Sequence, residues 1–155
     1  MKKVYIIFFL CLFLLTGCEN NNEEPKDEYI SLRNEIQEKN EYTSLEDLPL
    51  DITVKYDRID EEKVKYTILL NNPKKNMKEM KCIVIPNYPS EELYPSFGLF
   101  DNKKELLTSK ENDSIELDNI FKTTKNLSKI NLELKIWIEY IDDSGEKNEI
   151  YYKTT

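Results

Sequence analysis

Residues 130–140 alternate apolar and polar side chains, with Trp137 as the exception on the polar face, and this pattern constrains the fold more than any other feature of the chain. The polar positions include Asn131, Glu133, Lys135 and Glu139. The apolar positions are Ile130, Leu132, Leu134, Ile136, Ile138 and Tyr140. A period of two puts the two sets on opposite faces of an extended chain. The segment is therefore predicted to be a β-strand with one buried face.

Similar but weaker patterns recur through residues 50–155. Alternating apolar positions within 50–57, 64–70 and 113–119 predict further strands, as do the apolar run in 79–87 and a short piece near 97–100. Asp142-Asp143-Ser144-Gly145 predicts a hairpin turn, followed by a return strand in 146–153. About seven strands with polar turns favour an all-β fold, an antiparallel two-sheet sandwich of immunoglobulin-like kind. A single curled sheet or a small barrel is the alternative.

The first eighteen residues differ sharply from the rest. Lys2 and Lys3 precede an uncharged apolar stretch, Val4 to Leu15, which is too short to span a bilayer and suits a secretory signal. Leu15-Thr16-Gly17-Cys18 resembles the lipobox of bacterial prolipoproteins. That resemblance implies cleavage between Gly17 and Cys18 and diacylation of the Cys18 sulfur, which anchors a protein stably to the membrane. The alternative is a conventional signal peptide with an incidental cysteine.

These features divide the chain into three parts. Residues 1–17 are the predicted lipoprotein signal peptide, residues 18–47 a polar tether or stalk, and residues 48–155 the β-sandwich domain. Tyr29, Leu32 and Ile36 have helical spacing, so the stalk is predicted to be partly helical. An isolated helix of this length is only marginally stable in water.

Composition excludes several classes of function. Cleavage of the predicted signal peptide removes Lys2 and Lys3 and leaves 20 basic residues against 30 acidic ones. The resulting net charge of −10 opposes nucleic-acid binding. The chain has no histidine, which removes the usual general base and the commonest metal ligand. We therefore expect no enzyme activity, metal or cofactor. Cys82 is the thiol that remains after processing, and its apolar surroundings predict a buried side chain.

Four aromatic residues are the candidate ligand contacts. Tyr88, Tyr94 and Phe97 lie in the proline-containing segment 87–100, and Trp137 falls on the polar face of the 130–140 strand. Exposed aromatic side chains provide large contact areas at low entropic cost. The alternative is that the first three residues cap one end of the core, and that a loop or the second sheet covers Trp137.

The layout of the chain resembles that of the self-immunity lipoproteins of lantibiotic producers, of the subtilin type. The likeness lies in the small size, the single domain and the anchor at Cys18. It implies a non-catalytic binding protein on the extracytoplasmic face of a Gram-positive cell membrane, which sequesters a cationic antimicrobial peptide. We expect a monomer. The alternatives are an envelope-assembly, adhesion or transporter-associated binding module and, in a different class, an uncharacterised hydrolase.

Overall fold

The computed structural model describes residues 27–89, 93–100, 105–109 and 113–154. These residues form one α-helix, α1 (Asp27–Glu38), and eight strands: β1 (Asp51–Arg58), β2 (Lys63–Asn71), β3 (Met77–Pro86), β4 (Ser96–Phe97), β5 (Glu105–Leu107), β6 (Ser114–Lys122), β7 (Leu134–Ile141) and β8 (Lys147–Lys153). Two short 3₁₀ helices, Leu45–Asp47 and Leu127–Lys129, lie in the connections.

The strands form two antiparallel sheets. The first has the order β1-β2-β6 and the second the order β4-β3-β7-β8, with β5 paired to β3. In the central pairs, Ile68 of β2 lies opposite Leu117 of β6, and Val84 of β3 lies opposite Ile136 of β7. Pairing the second strand with the sixth and the third with the seventh matches the B–E and C–F pairs of an immunoglobulin-like sandwich.

Most buried apolar side chains lie between the two sheets. β2 and β7 supply alternate residues to this main core: Val64, Tyr66, Ile68, Leu70, Leu134, Ile136, Ile138 and Tyr140. Each fully buried aliphatic side chain of this kind contributes about 1.5–3 kcal/mol. The predicted two-sheet sandwich is confirmed, and the described residues form neither a single curled sheet nor a closed barrel.

Helix α1 packs on the outer face of the second sheet. Tyr29 and Ile36 are buried there in a second apolar cluster with Ile83, Ile85 and Trp137. Polar contacts surround this cluster along the length of the helix, and they join Glu28 to Lys81 (2.7 Å), the Tyr151 hydroxyl to Glu35 (2.6 Å) and the Lys135 ammonium to the Gln37 carbonyl (2.7 Å). The last contact brings a positive charge to the carboxyl end of the helix, where it interacts favourably with the negative end of the helix dipole.

The docked helix changes the predicted organisation of the chain. The short helix expected within residues 18–47 is present, but it belongs to the folded unit, because Tyr29 and Ile36 are each only 1% exposed. Packing against the sheet supplies the stability that an isolated helix lacks. The folded part of the chain therefore includes Asp27, well before the predicted boundary at residue 48.

Candidate functional site

The predicted processing site, Gly17 and Cys18, lies outside the described residues. The other four predicted site residues, Tyr88, Tyr94, Phe97 and Trp137, are within them. Their burial and contacts decide whether they can form a ligand-binding surface.

Trp137 is not a surface residue. It lies on the predicted face of β7, opposite the main core, but it is only 1% exposed because helix α1 covers it. Ile83 and Ile85 of the adjacent strand β3 flank it in the same cluster. The prediction of an exposed, ligand-contacting Trp137 was therefore wrong. The helix and loop residue Leu99 belong to the same cluster, so the alternative of a covering loop holds in part, whereas the other sheet lies on the opposite face.

Tyr88 and Phe97 are partly buried and pack against the main core. The Tyr88 ring lies 4.3 Å from the ring of Phe121, measured between centroids. Phe97 is in β4, opposite Cys82 of β3. Both side chains therefore help to close the sandwich.

Tyr94 contributes to the second cluster, on the helix side of the same sheet. Its backbone N–H donates a hydrogen bond to the Tyr29 hydroxyl at 2.8 Å, and Phe100 packs on the Tyr29 ring at a centroid distance of 4.9 Å. Gly98 holds this segment against β3, with a φ of +71° and an ideal Cβ position only 2.7 Å from the Met80 carbonyl oxygen. The four predicted aromatics are thus divided between two clusters and do not form one binding surface.

One candidate surface is the acidic turn, residues 56–62 with the sequence YDRIDEE, which comprises the end of β1 and the connection to β2. It exposes two apolar side chains, Tyr56 (38%) and Ile59 (52%). Four acidic residues stand beside them: Asp57, Asp60, Glu61 and Glu62. The turn thus combines negative charge with exposed apolar surface, a combination suited to a cationic amphipathic partner.

Arg58 fixes the shape of the acidic turn. Its guanidinium donates to the carbonyl oxygens of Asp60 (3.2 Å) and Glu61 (3.0 Å) within the turn. It also reaches the carbonyls of Thr123 and Lys125, which follow β6. The Asp60 carboxylate accepts hydrogen bonds from the backbone N–H groups of Glu62 and Lys63, both at 2.8 Å. Arg58 and Asp60 are engaged with backbone groups, and Asp57 lies opposite Lys65 in the β1–β2 register. Glu61 and Glu62 are exposed to solvent.

Sequence reasoning missed this turn. The alternation in β1 predicts an inward-facing Tyr56, whereas its position at the end of the strand leaves the ring partly exposed. Consecutive acids are common on solvated edges, so Glu61-Glu62 alone gave no functional signal. The informative signal was the position of Ile59, an apolar residue within a charged turn.

A cleft of about 430 Å³ opens at the other end of the sandwich. The Lys75 ammonium lies 3.5 Å from an Asp142 oxygen and 5.3 Å from the centroid of the Tyr140 ring. The hydrogen bond with Tyr140 is the main cause of the raised pKa of Lys75, so the ammonium stays charged. Both basic and acidic side chains line the cleft, together with neutral ones. The lining residues are Thr43, Asp47, Leu48, Pro49, Lys74, Lys75, Tyr140, Asn148, Glu149 and Ile150. This mixture favours no one class of ligand.

Cys82 lies on β3 and points into the main core. It is a free thiol and is fully buried, which confirms the predicted buried side chain. Burial raises the pKa of the Cys82 thiol, so the reactive thiolate is disfavoured in the folded protein.

The described residues lack two further features. Across residues 27–89, 93–100, 105–109 and 113–154, no group of three or more acidic or cysteine side chains is placed to hold a metal ion. Within the same ranges, no helix is both long and apolar enough to cross a membrane.

Comparisons with known proteins add little to this geometry. No protein-family model matches the chain, and no curated protein matches it. Among solved structures, the sporulation control protein Spo0M from Bacillus subtilis is similar over 70% of this chain, with 9% identity and a TM-score of 0.26. This chain spans about half of that structure, 51%. A TM-score this low establishes no common fold, so the likeness supports no functional argument.

Proposed function

We propose that the protein is a lipid-anchored, non-catalytic binding protein on the extracytoplasmic face of the cell membrane. The observation that carries this proposal is the sequence Leu15-Thr16-Gly17-Cys18 after a short apolar stretch. The described fold includes Asp27, which is nine residues after Cys18. Two acyl chains on one cysteine are sufficient for stable residence in the bilayer.

For the ligand, we propose a cationic amphipathic peptide, as the resemblance to the lantibiotic self-immunity lipoproteins implies. The net charge of −10 for a chain that begins at Cys18 would attract such a peptide at long range. At short range, the acidic turn offers Tyr56 and Ile59 for its apolar side chains. Asp57, Glu61 and Glu62 would face its basic side chains. Sequestration by this surface would keep the peptide away from the bilayer.

The anchor is tested by Cys18→Ser in the full chain, with Cys11→Ser as the matched control within the leader. We expect Cys18→Ser to leave the protein unprocessed or to release it from membranes, whereas Cys11→Ser should leave it membrane-bound. Mass spectrometry of the mature amino terminus gives the decisive reading. An unmodified terminus at Glu19 or later would refute the anchor.

The ligand is tested by protection of a sensitive Gram-positive host that expresses the gene, titrated with several lantibiotics. We expect Tyr56→Ala combined with Ile59→Ala to weaken binding by about 2 kcal/mol or more, the usual cost of truncating central apolar contacts. Leu45→Ala is the control, because Leu45 is also exposed (67%) but lies outside the acidic turn. Alanine at Tyr88, Tyr94 or Trp137 would test folding instead, since these side chains pack in the two clusters.

The salt dependence of peptide binding provides a second test of the same interaction. Exposed charges are screened beyond about 8 Å at physiological ionic strength, so binding should weaken as salt rises. A triple variant should show a smaller salt dependence. It combines Asp57→Asn, Glu61→Gln and Glu62→Gln. If the protein is present at the membrane and gives no added tolerance to any peptide, immunity to those peptides is rejected. A general envelope-binding role would then be the better explanation.

A further inference from the structure

Helix α1 starts near one end of the sandwich. The Glu28 carboxylate, at the start of α1, lies 2.7 Å from the Lys81 ammonium. Lys81 is opposite Glu139 in the β3–β7 register, two residues before β7 ends at Ile141. We call this end, with turns 72–76 and 142–146, the proximal end. The distal end contains turn 59–62, residues 87–89 and the connection 123–133.

Contacts within each end support this division. At the proximal end, Lys78 pairs with Asp143 at 2.8 Å and Asn76 donates to the same carboxylate at 2.8 Å. At the distal end, the Asn87 backbone N–H donates to the Glu133 carbonyl at 2.9 Å. Arg58 joins the acidic turn to the connection after β6 at the same end. The acidic turn and Tyr88 therefore lie far from the start of α1.

Docking of α1 keeps the connection to the anchor short. Tyr29 and Ile36 are buried against the sheet, so the helix cannot lengthen the tether without losing that packing. From Cys18 to Asp27 is nine residues, which span at most about 32 Å even when fully extended. β7 alone, at eight residues, is about 26 Å long.

We infer that the anchored domain stands with its proximal end toward the bilayer and its distal end, including the acidic turn, facing outward. This inference rests on the proposed anchor at Cys18. To lay the distal end on the membrane, the nine residues would have to run back along β7 from Glu139 to Leu134, roughly 17 Å, whereas the proximal end lies next to the start of α1. The shorter path leaves the connection more conformational freedom and therefore favours the proximal end. The exposed lysines of the proximal end, Lys75 and Lys78 (41% and 49%), are ion-paired with Asp142 and Asp143, so the inference rests on where α1 starts and not on attraction to anionic headgroups.

This orientation assigns the bilayer surface as the partner of the proximal end. It also gives the acidic turn a place in the proposed function. A surface at the distal end would meet an incoming peptide before the peptide reached the membrane. The protein would then act by interception in the space above the bilayer, rather than by extracting peptide already inserted in it.

The test compares Ser144→Cys in the proximal turn with Ser128→Cys in the distal connection, two exposed serines that receive the same change. Each full-length variant is produced with its lipid, labelled with a fluorophore and reconstituted in phosphatidylglycerol vesicles that contain a headgroup-linked quencher. Cys82 is fully buried and will not take the label in the folded protein. Because the two ends are separated by strands about 26 Å long, we expect about twofold or greater quenching of the Ser144→Cys label relative to the other.

Equal quenching at the two positions, or stronger quenching at the distal one, would overturn the inferred orientation. Insertion of a Gly/Ser segment between Cys18 and Asp27 should shrink the difference. A difference that persists unchanged would show that the tether does not set the orientation. The wild-type protein, with both serines unchanged, is a separate control. If it takes the label at Cys18, the sulfur of Cys18 carries no lipid. This result would reject both the anchor and the orientation that rests on it.

Discussion

At the scale of single residues, Tyr66 and Tyr29 illustrate how similar side chains can have different energetic roles. Both are 1% exposed. The Tyr29 hydroxyl accepts a hydrogen bond from the Tyr94 backbone N–H, whereas the Tyr66 hydroxyl has no partner in the described part of the chain. Burial is the main cause of the raised pKa of both hydroxyls. A buried hydroxyl without a partner has lost its water and gained no bond in exchange.

Removing the two hydroxyls should therefore have opposite consequences. We expect Tyr66→Phe to be neutral or to raise the free energy of unfolding by up to about 1 kcal/mol, because it removes an unsatisfied group. Tyr29→Phe should lower it by about 1–2 kcal/mol, because the Tyr94 N–H loses its acceptor. Urea denaturation of both variants measures the difference. A loss in Tyr66→Phe as large as that in Tyr29→Phe would contradict the assignment.

Asp142 gives the domain a defined response to acid. Hydrogen bonds from the Ser144 hydroxyl (2.6 Å), from the backbone N–H groups of Glu146 and Ser144, and from the Asn148 side chain lower its pKa from 3.8 to about 2. A depressed pKa in the folded state means that the carboxylate stabilises folding above about pH 4. That contribution is lost as the pH falls through about 2.

Two variants test this pH dependence. We expect the stability difference between wild type and Asp142→Asn to be constant above about pH 4 and to shrink as the pH falls through about 2. Ser144→Ala should move the Asp142 pKa up toward 3.8, since the hydroxyl is the largest cause of the shift. A carboxyl titration followed by NMR reports the pKa directly. An Asp142 pKa near 3.8 in the wild type would contradict the proposed hydrogen-bond network.

At the scale of elements, Trp137 and helix α1 form a pair that can be followed in solution. Trp137 is the only tryptophan in the chain, so its fluorescence reports on the cluster beneath the helix. Ile36→Ala removes one of the two most buried helix side chains, and a truncation of this kind costs about 2–4 kcal/mol. We expect the helix to undock and the Trp137 emission to shift to longer wavelength.

Asn34→Ala is the matched control, because Asn34 is exposed on the same helix. The Trp137 emission spectrum of the Asn34→Ala variant should match that of the wild type. A spectrum of Ile36→Ala that also stays unchanged would mean that Trp137 is shielded by something other than α1.

The same pair shows how far the sequence could predict elements. Alternation correctly placed Leu134, Ile136, Ile138 and Tyr140 on the core face of β7. It could not predict what covers the opposite face, because the period of a strand contains no information on elements elsewhere in the chain. β5 was also missed: it is only three residues long and pairs across a bulge in β3 between Met77 and Met80.

At the scale of the whole molecule, the second sheet separates two apolar clusters. Alternate β3 residues belong to different clusters, with Cys82 and Val84 facing the other sheet and Ile83 and Ile85 facing α1. The run from 82 to 86 is apolar for this reason, as the sequence predicts for a strand buried on both faces. The candidate site was harder to predict, because exposure of Tyr56 and Ile59 depends on where β1 ends and on how Arg58 closes the turn.

The two clusters should open independently, and Cys82 is the probe that separates them. Its thiol faces the main core, so reagents should reach it only when the two sheets part. We expect slow labelling in native buffer and an increase with urea that follows global unfolding. In Ile36→Ala at equal denaturant, Trp137 should become exposed while Cys82 labelling, resolved by peptide mass spectrometry, stays slow. Fast labelling of native wild-type Cys82 would overturn its burial, and joint exposure of both probes in Ile36→Ala would show that helix and sandwich unfold as one unit.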